Sequence, residues 1–198
     1  MLGLAFMFVG IIYLFISVWL VKFAMRKAEE RGIKKWKWGV PAGFVMYLLV
    51  FWDHIPTLVV HQYYCKSDAG FTVYKTLEEW KKENPGVAET LTYEENVKYQ
   101  MKDNQTIYYM NERFDSVTTR TLVFLSVKQR KYQVVDKSNN EVLAEYTDYG
   151  SGGGFQNANT LTAYKFWLAN NACDKGMKNR TQFGEFEKMV TRIGDIQE

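Results

Sequence analysis

Apolar residues are spread very unevenly along this chain. Leu2–Met25 (LGLAFMFVGIIYLFISVWLVKFAM) is almost unbroken apolar sequence, with Lys22 its only charge. At about 1.5 Å of rise per residue, roughly 20 such residues cross a ~30 Å hydrocarbon core, so the pattern predicts a membrane-spanning helix over about 2–25. Lys22 lies near one end, where its stem can snorkel to the headgroups. A secretory signal peptide is the rival reading. It calls for a charged region ahead of a shorter apolar run, so the expectation is a retained helix.

A second apolar segment, Trp36–Trp52 (WKWGVPAGFVMYLLVFW), is followed by Asp53, His54, Ile55, Pro56, Thr57 and then Leu58–Val60. Two readings compete for it. In the preferred one the helix ends at Trp52, tryptophans mark both interfaces, and Asp53 and His54 reach the headgroups. In the other the helix continues to about residue 60, kinked at Pro56. Asp53 and His54 then lie inside the bilayer, where an ionisable pair is costly and functional by default. Either way the pair is a candidate polar site at the membrane. Gly39 and Gly43 stand four apart and would let this helix approach a neighbour closely. The reading divides the chain into residues 1–62, two transmembrane helices, and 63–198, a folded polar domain.

Beyond the apolar segments the period changes. Phe71–Lys75 (FTVYK) alternates as a short strand, and Thr76 with Glu79 forms a capping box that opens a helix. A second box, Thr92 with Glu95, predicts a helix to about Asp103, striped by Tyr93, Val97 and Met101. Thr106–Met110, Thr121–Val127, Lys131–Val135 and Glu141–Thr147 read as strands, and DKSNN at residues 136–140 makes Lys131–Thr147 a hairpin. Gly150–Gly154 (GSGGG) reads as a mobile break. Asn179 to about Ile193 reads as an amphipathic helix capped by Asn179 and Gln182, with Phe183, Phe186, Met189, Val190 and Ile193 on one face. The expected fold is membrane-anchored α+β, with an antiparallel sheet of four or five strands.

Charge sharpens this division. Met1–Lys37 carries seven Lys/Arg and two acids, while Lys66–Glu198 carries 18 Lys/Arg and 19 acids. The basic character therefore belongs to the segment between the apolar runs, which the positive-inside rule places in the cytoplasm. The N-terminus and the large domain are then expected on the opposite face, the periplasmic side of a bacterial inner membrane. A near-neutral domain argues against nucleic acid as partner. Cys65 and Cys173, an even pair in such a compartment, are expected to form a disulfide.

Candidate chemistry is sparse. Both histidines, His54 and His61, precede Lys66, so a Ser-His-Asp or Cys-His arrangement within the later sequence is excluded, and a conventional zinc site is not expected. Glu78-Glu79 and Glu94-Glu95 are neighbours that point about 100° apart on a helix, and they suit first-turn positions. The GSGGG run lacks the Gly-Lys-Ser/Thr ending of a phosphate loop. Neither metal nor cofactor is expected. Gly150, Gly152, Gly153, Tyr164 and Trp167 are candidate partner contacts, because mobile loops and aromatics recur at interfaces. The expected function is a non-enzymatic interaction module, partnered by the lipid bilayer and another envelope or membrane protein. The alternative is a protective protein of the immunity or superinfection-exclusion type, and a membrane-face enzyme using carboxylates ranks behind both.

Overall fold

A computed structural model of the protein describes residues 2–92, 98–152, 165–169, 172–173 and 176–194. It divides into two compact units, Met1–Ile55 and Pro56–Glu198.

The first unit holds α1 (Leu2–Glu30) and α2 (Trp36–Phe51). Its helices are predominantly apolar, and most of the apolar side chains described on α1 are exposed. With 29 residues, α1 is long and apolar enough to cross a membrane, a property a signal sequence shares. The 16 residues of α2 give only about 24 Å of helix, less than a ~30 Å core. At Gly39 α2 lies close against α1: a Cβ there would sit 2.7 Å from Met25 Cγ. Pro41 lies in the second turn of α2.

The helix stops at Phe51, within one residue of the end in the preferred reading. The alternative, one helix continuing to about residue 60 with its kink at Pro56, is not formed: the break lies at Trp52-Asp53, and α3 (His54–Ser67) begins after it. Pro56 falls in the first turn of α3, where its missing N–H has no intrahelical partner to lose.

The second unit is α+β. Its strands are β1 (Gly70–Val73), β2 (Tyr99–Lys102), β3 (Gln105–Tyr109), β4 (Phe114–Phe124), β5 (Val127–Asp136) and β6 (Glu141–Ser151). They form one antiparallel sheet in the order β1-β6-β5-β4-β3-β2. The meander β2–β6 needs only tight turns, and β1 adds to its far edge. Between β1 and β2 lies α4 (Leu77–Glu83), opened by the expected capping box: Glu79 N–H donates to Thr76 Oγ1 at 3.3 Å and Thr76 N–H donates to Glu79 Oε2 at 2.9 Å.

Period-2 alternation assigns the two faces of the sheet. One face carries Phe114, Val134, Ala144 and Tyr146, and α5 (Gly176–Thr191) covers it with Phe183, Phe186 and Val190. Trp80 of α4 completes this core, 4.9 Å from Phe114 by ring centroids. The opposite face carries Val127 and Tyr149, and α3 lies against it with Val60, Tyr64 and Cys65. Tyr64 stacks on Tyr149 at 4.9 Å.

Four expectations are corrected. Tyr99–Lys102 is a strand, so the helix expected to reach Asp103 cannot; its residues 93–97 lie outside the described residues. The strand expected over Thr121–Val127 is cut by a turn at Leu125-Ser126, so it forms the tip of a hairpin. The last helix starts at Gly176, which puts Asn179 inside it and not at its cap, and Met189 is 45% exposed while the other four members of its stripe are buried. The sheet has six strands.

Candidate functional site

Three places in the molecule gather polar groups. The first is a tight node at Asp136, the last residue of β5 and fully buried. Trp80 Nε1 donates to its Oδ2 at 2.8 Å, and the Arg113 guanidinium lies 2.7 Å from Oδ1. Ser138 donates to Oδ1 from its backbone N–H and its hydroxyl, each at 2.8 Å. Burial pushes this carboxyl up, but the donors outweigh it and hold the group below the usual carboxylate range. With Trp80, Arg113 and Ser138 all aimed at it, the node closes the turn between β5 and β6.

The second place is the disulfide between Cys65 and Cys173, with Cα atoms 5.3 Å apart across 108 residues of sequence. It fastens α3 to the segment ahead of α5. Thr57, His61 and Cys65 recur every four residues, so they share one face of α3. His61 is buried, its Nε2 3.2 Å from the Tyr149 carbonyl and 3.6 Å from Cys65 Sγ. A carbonyl only accepts, so this hydrogen bond requires the proton on Nε2. The ligand atoms of His61, Cys65 and Cys173 lie within 4.8 Å of one another. Joined in a disulfide, however, the sulfurs offer no thiolate to a metal, and the trio acts as a covalent lock. Tyr149 hydroxyl donates to Asp68, and Gln129 Nε2 donates to Tyr149 Oη at 2.7 Å. Burial, then the bond to Asp68, push the Tyr149 phenol up.

The third place is open. Helix α5 packs over β1, β6 and β4, and its outer flank leaves a cavity of about 840 Å³ above β3, β4 and β5. Met110, Tyr108 and Tyr132 supply apolar and aromatic wall. Arg120 projects from β4, and Arg180, Lys188 and Arg192 line it from α5 and its exit. Among the described residues Arg120, Arg180 and Lys188 form no ion pair. Among the described lining residues one is an acid, Glu187, which accepts a hydrogen bond from the Ser116 hydroxyl. Burial pushes its carboxyl up, against the Ser116 bond, so its charge is the more easily lost. A concave surface with aromatic walls and an excess of cations suits an anionic group.

The residues singled out in the sequence fall elsewhere. Asp53 is buried at the break between α2 and α3, and His54 Nδ1 shares a 2.7 Å hydrogen bond with Tyr47 hydroxyl. Gly150 is not in a mobile break: it belongs to β6, paired with Lys128. Gly152 turns at φ +80°, where a Cβ would lie 2.8 Å from Ala169 Cα. Gly152 thus has a backbone reason to be there. Trp167 is half-buried in a single 3₁₀ turn, Phe166–Leu168, while Gly153 and Tyr164 lie outside the described residues. The groove itself went unnoticed because its cations come from two distant segments. The signal available was i,i+4 and i,i+8 spacing of Arg180, Lys188 and Arg192 on the polar flank of the last helix.

No family model, curated protein or solved structure matches the chain.

Proposed function

We propose that this protein is a membrane-anchored, non-enzymatic interaction module, an accessory subunit of a larger cell-envelope assembly. The observation that carries the reading is the cationic groove between α5 and β3–β5. It is open, walled by tyrosines, and rimmed by Arg120, Arg180 and Lys188, with Glu187 the one acid among its described lining residues. An acidic segment of a partner protein is its natural occupant, since arginines and tyrosines are the side chains that most often anchor interfaces.

Anchorage rests on the length and apolar character of α1, with α2 and the start of α3 as a second, broken passage. The seven Lys/Arg up to Lys37 support a cytoplasmic loop, and the Cys65–Cys173 bond supports an oxidising compartment for the domain. Together these favour the periplasmic side of a bacterial inner membrane. Asp53 and His54, at the α2–α3 break, are candidates for contact with another membrane subunit.

Photocrosslinking tests the reading. A photoreactive amino acid at Tyr108, in the full chain at native abundance, should give a discrete adduct in mild detergent. The same adduct should be lost when Arg180 and Lys188 are both changed to Glu. An intact adduct in that variant would remove the groove from the account, and a chain that crosslinks to nothing would remove the module.

A further inference from the structure

The hairpin between β4 and β5 ends in Leu122, Val123, Phe124 and Leu125, a run of four apolar residues at a solvent-facing tip. Leu122 is 62% exposed and Phe124 and Leu125 are each 41% exposed. The hairpin also runs past its neighbour: β3 begins at Gln105, opposite Thr119, and the next bond, from Arg120 N–H to the Asn104 carbonyl, already belongs to the β2–β3 turn. Nothing on β2 or β3 therefore covers residues 121–125.

Turn chemistry does not explain these side chains. Leu125 adopts a left-handed backbone, φ +45°, a conformation that glycine or asparagine takes at less cost. The hairpin at the other end of the sheet, between β5 and β6, makes the ordinary choice: Asn140 holds φ +58° within Asp136–Glu141 (DKSNNE), all polar. The same sheet thus carries one apolar tip and one polar tip, at opposite ends.

The apolar end is also the end that packs against α3. Val123 packs in the cluster that holds Val60 and Tyr64 of α3, and Ser126 Oγ lies 3.4 Å from Thr57 Oγ1. Thr57 lies five positions after Trp52, a reach of at most about 18 Å even when extended. Behind the tip stand cations: Lys128 is paired across from Leu122, and Arg130, itself ion-paired with Asp148, across from Arg120.

We infer that the β4–β5 tip is a second membrane contact: Leu122, Phe124 and Leu125 insert into the outer boundary of the bilayer that α2 enters, with Arg120 and Lys128 among its anionic headgroups. The inference rests on the proposed membrane anchorage. Its occupant is lipid because the tip is tied to the first turns of α3, a few residues from the end of an apolar helix. An apolar tip with cations behind it matches the way peripheral segments sink about 5–10 Å into the headgroup–acyl boundary.

The test uses the full chain in phosphatidylcholine–phosphatidylglycerol vesicles. An environment-sensitive NBD label is placed on one added thiol at a time: Leu122→Cys or Phe124→Cys at the tip, Asn139→Cys at the polar tip, and Val45→Cys in α2. Non-reducing gels check that Cys65–Cys173 is intact in each, and a genetically encoded fluorescent amino acid replaces the label wherever pairing shuffles. The expected result is blue-shifted emission, quenched by doxyl-labelled lipid, at 122, 124 and 45, with 139 unquenched. Quenching at 45 with an unquenched tip would overturn the inference and leave the anchor standing. Quenching at 139 as strong as at the tip would also overturn it, as general adsorption. An unquenched 45 would bring down the anchorage and the inference with it.

Discussion

The two ends of the six-stranded sheet are fastened by different chemistry. At the β5–β6 end the lock is a buried carboxylate, Asp136, surrounded by Trp80, Arg113 and Ser138. At the β4–β5 end it is a covalent bond, Cys65–Cys173, beside His61 and the Tyr149–Asp68 hydrogen bond. The first lock depends on proton concentration and the second on redox state. Separate perturbations should therefore undo one end and spare the other, which gives direct ways to break the comparison.

The largest effect belongs to the polar end. Asp136→Ala leaves Arg113 and the Trp80 N–H without their buried acceptor, and removing one partner of such a pair costs about 3–5 kcal/mol. Urea denaturation of the detergent-solubilised chain, followed by tryptophan fluorescence, should show a loss of that size. The double variant Cys65→Ser, Cys173→Ser comes next, at about 2–4 kcal/mol, since it frees a loop of 108 residues in the unfolded chain. Reductant should reproduce that loss in the parent and add nothing to the variant. A smaller effect is read by acid. The folded Asp136 carboxyl lies below its unfolded value of about 3.9, so its stabilisation is complete above that pH and is lost as pH falls through the folded value. Parent stability should drop on acidification in that range, and Asp136→Asn should flatten the contribution. Smallest of all, Leu122→Ser at the exposed apolar tip should shift stability by no more than about 0.5 kcal/mol in detergent, because the folded domain itself buries little there. A large loss would mean the tip is core, not surface.

Local signals were legible in the sequence where the chain's own chemistry decides structure. The Thr76–Glu79 capping box opens α4 as expected, and DKSNN turns β5 into β6. The cysteine pair joins, as expected of an even pair. Illegible were the features decided by distant partners. Thr92 and Glu95 offer a capping box, but Tyr99–Lys102 pairs with Gln105–Tyr108, and that ladder ends any helix before Tyr99. Thr121–Val127 holds an unbroken apolar run, Leu122–Leu125, that hides the turn, because Leu125 takes a backbone that its residue type disfavours. His61 looked like the tail of a membrane segment. Only the fold of α3 onto β6 sets it against Tyr149 and the disulfide. The cationic groove escaped for the same reason: Arg120 on β4 and Arg180 and Lys188 on α5 meet only through the sheet.

The central claim is that the domain from Pro56 onward works outside the cytoplasm, held by its apolar helices. Thiol state in intact cells tests it most directly: cells treated with a membrane-impermeant maleimide, then lysed under denaturing conditions, with non-reduced and reduced peptide maps compared. A Cys65–Cys173 peptide pair, unlabelled until an impermeant reductant is added to the intact cells, is the predicted result. Two free thiols that label only after lysis would contradict it and place the domain in the cytoplasm.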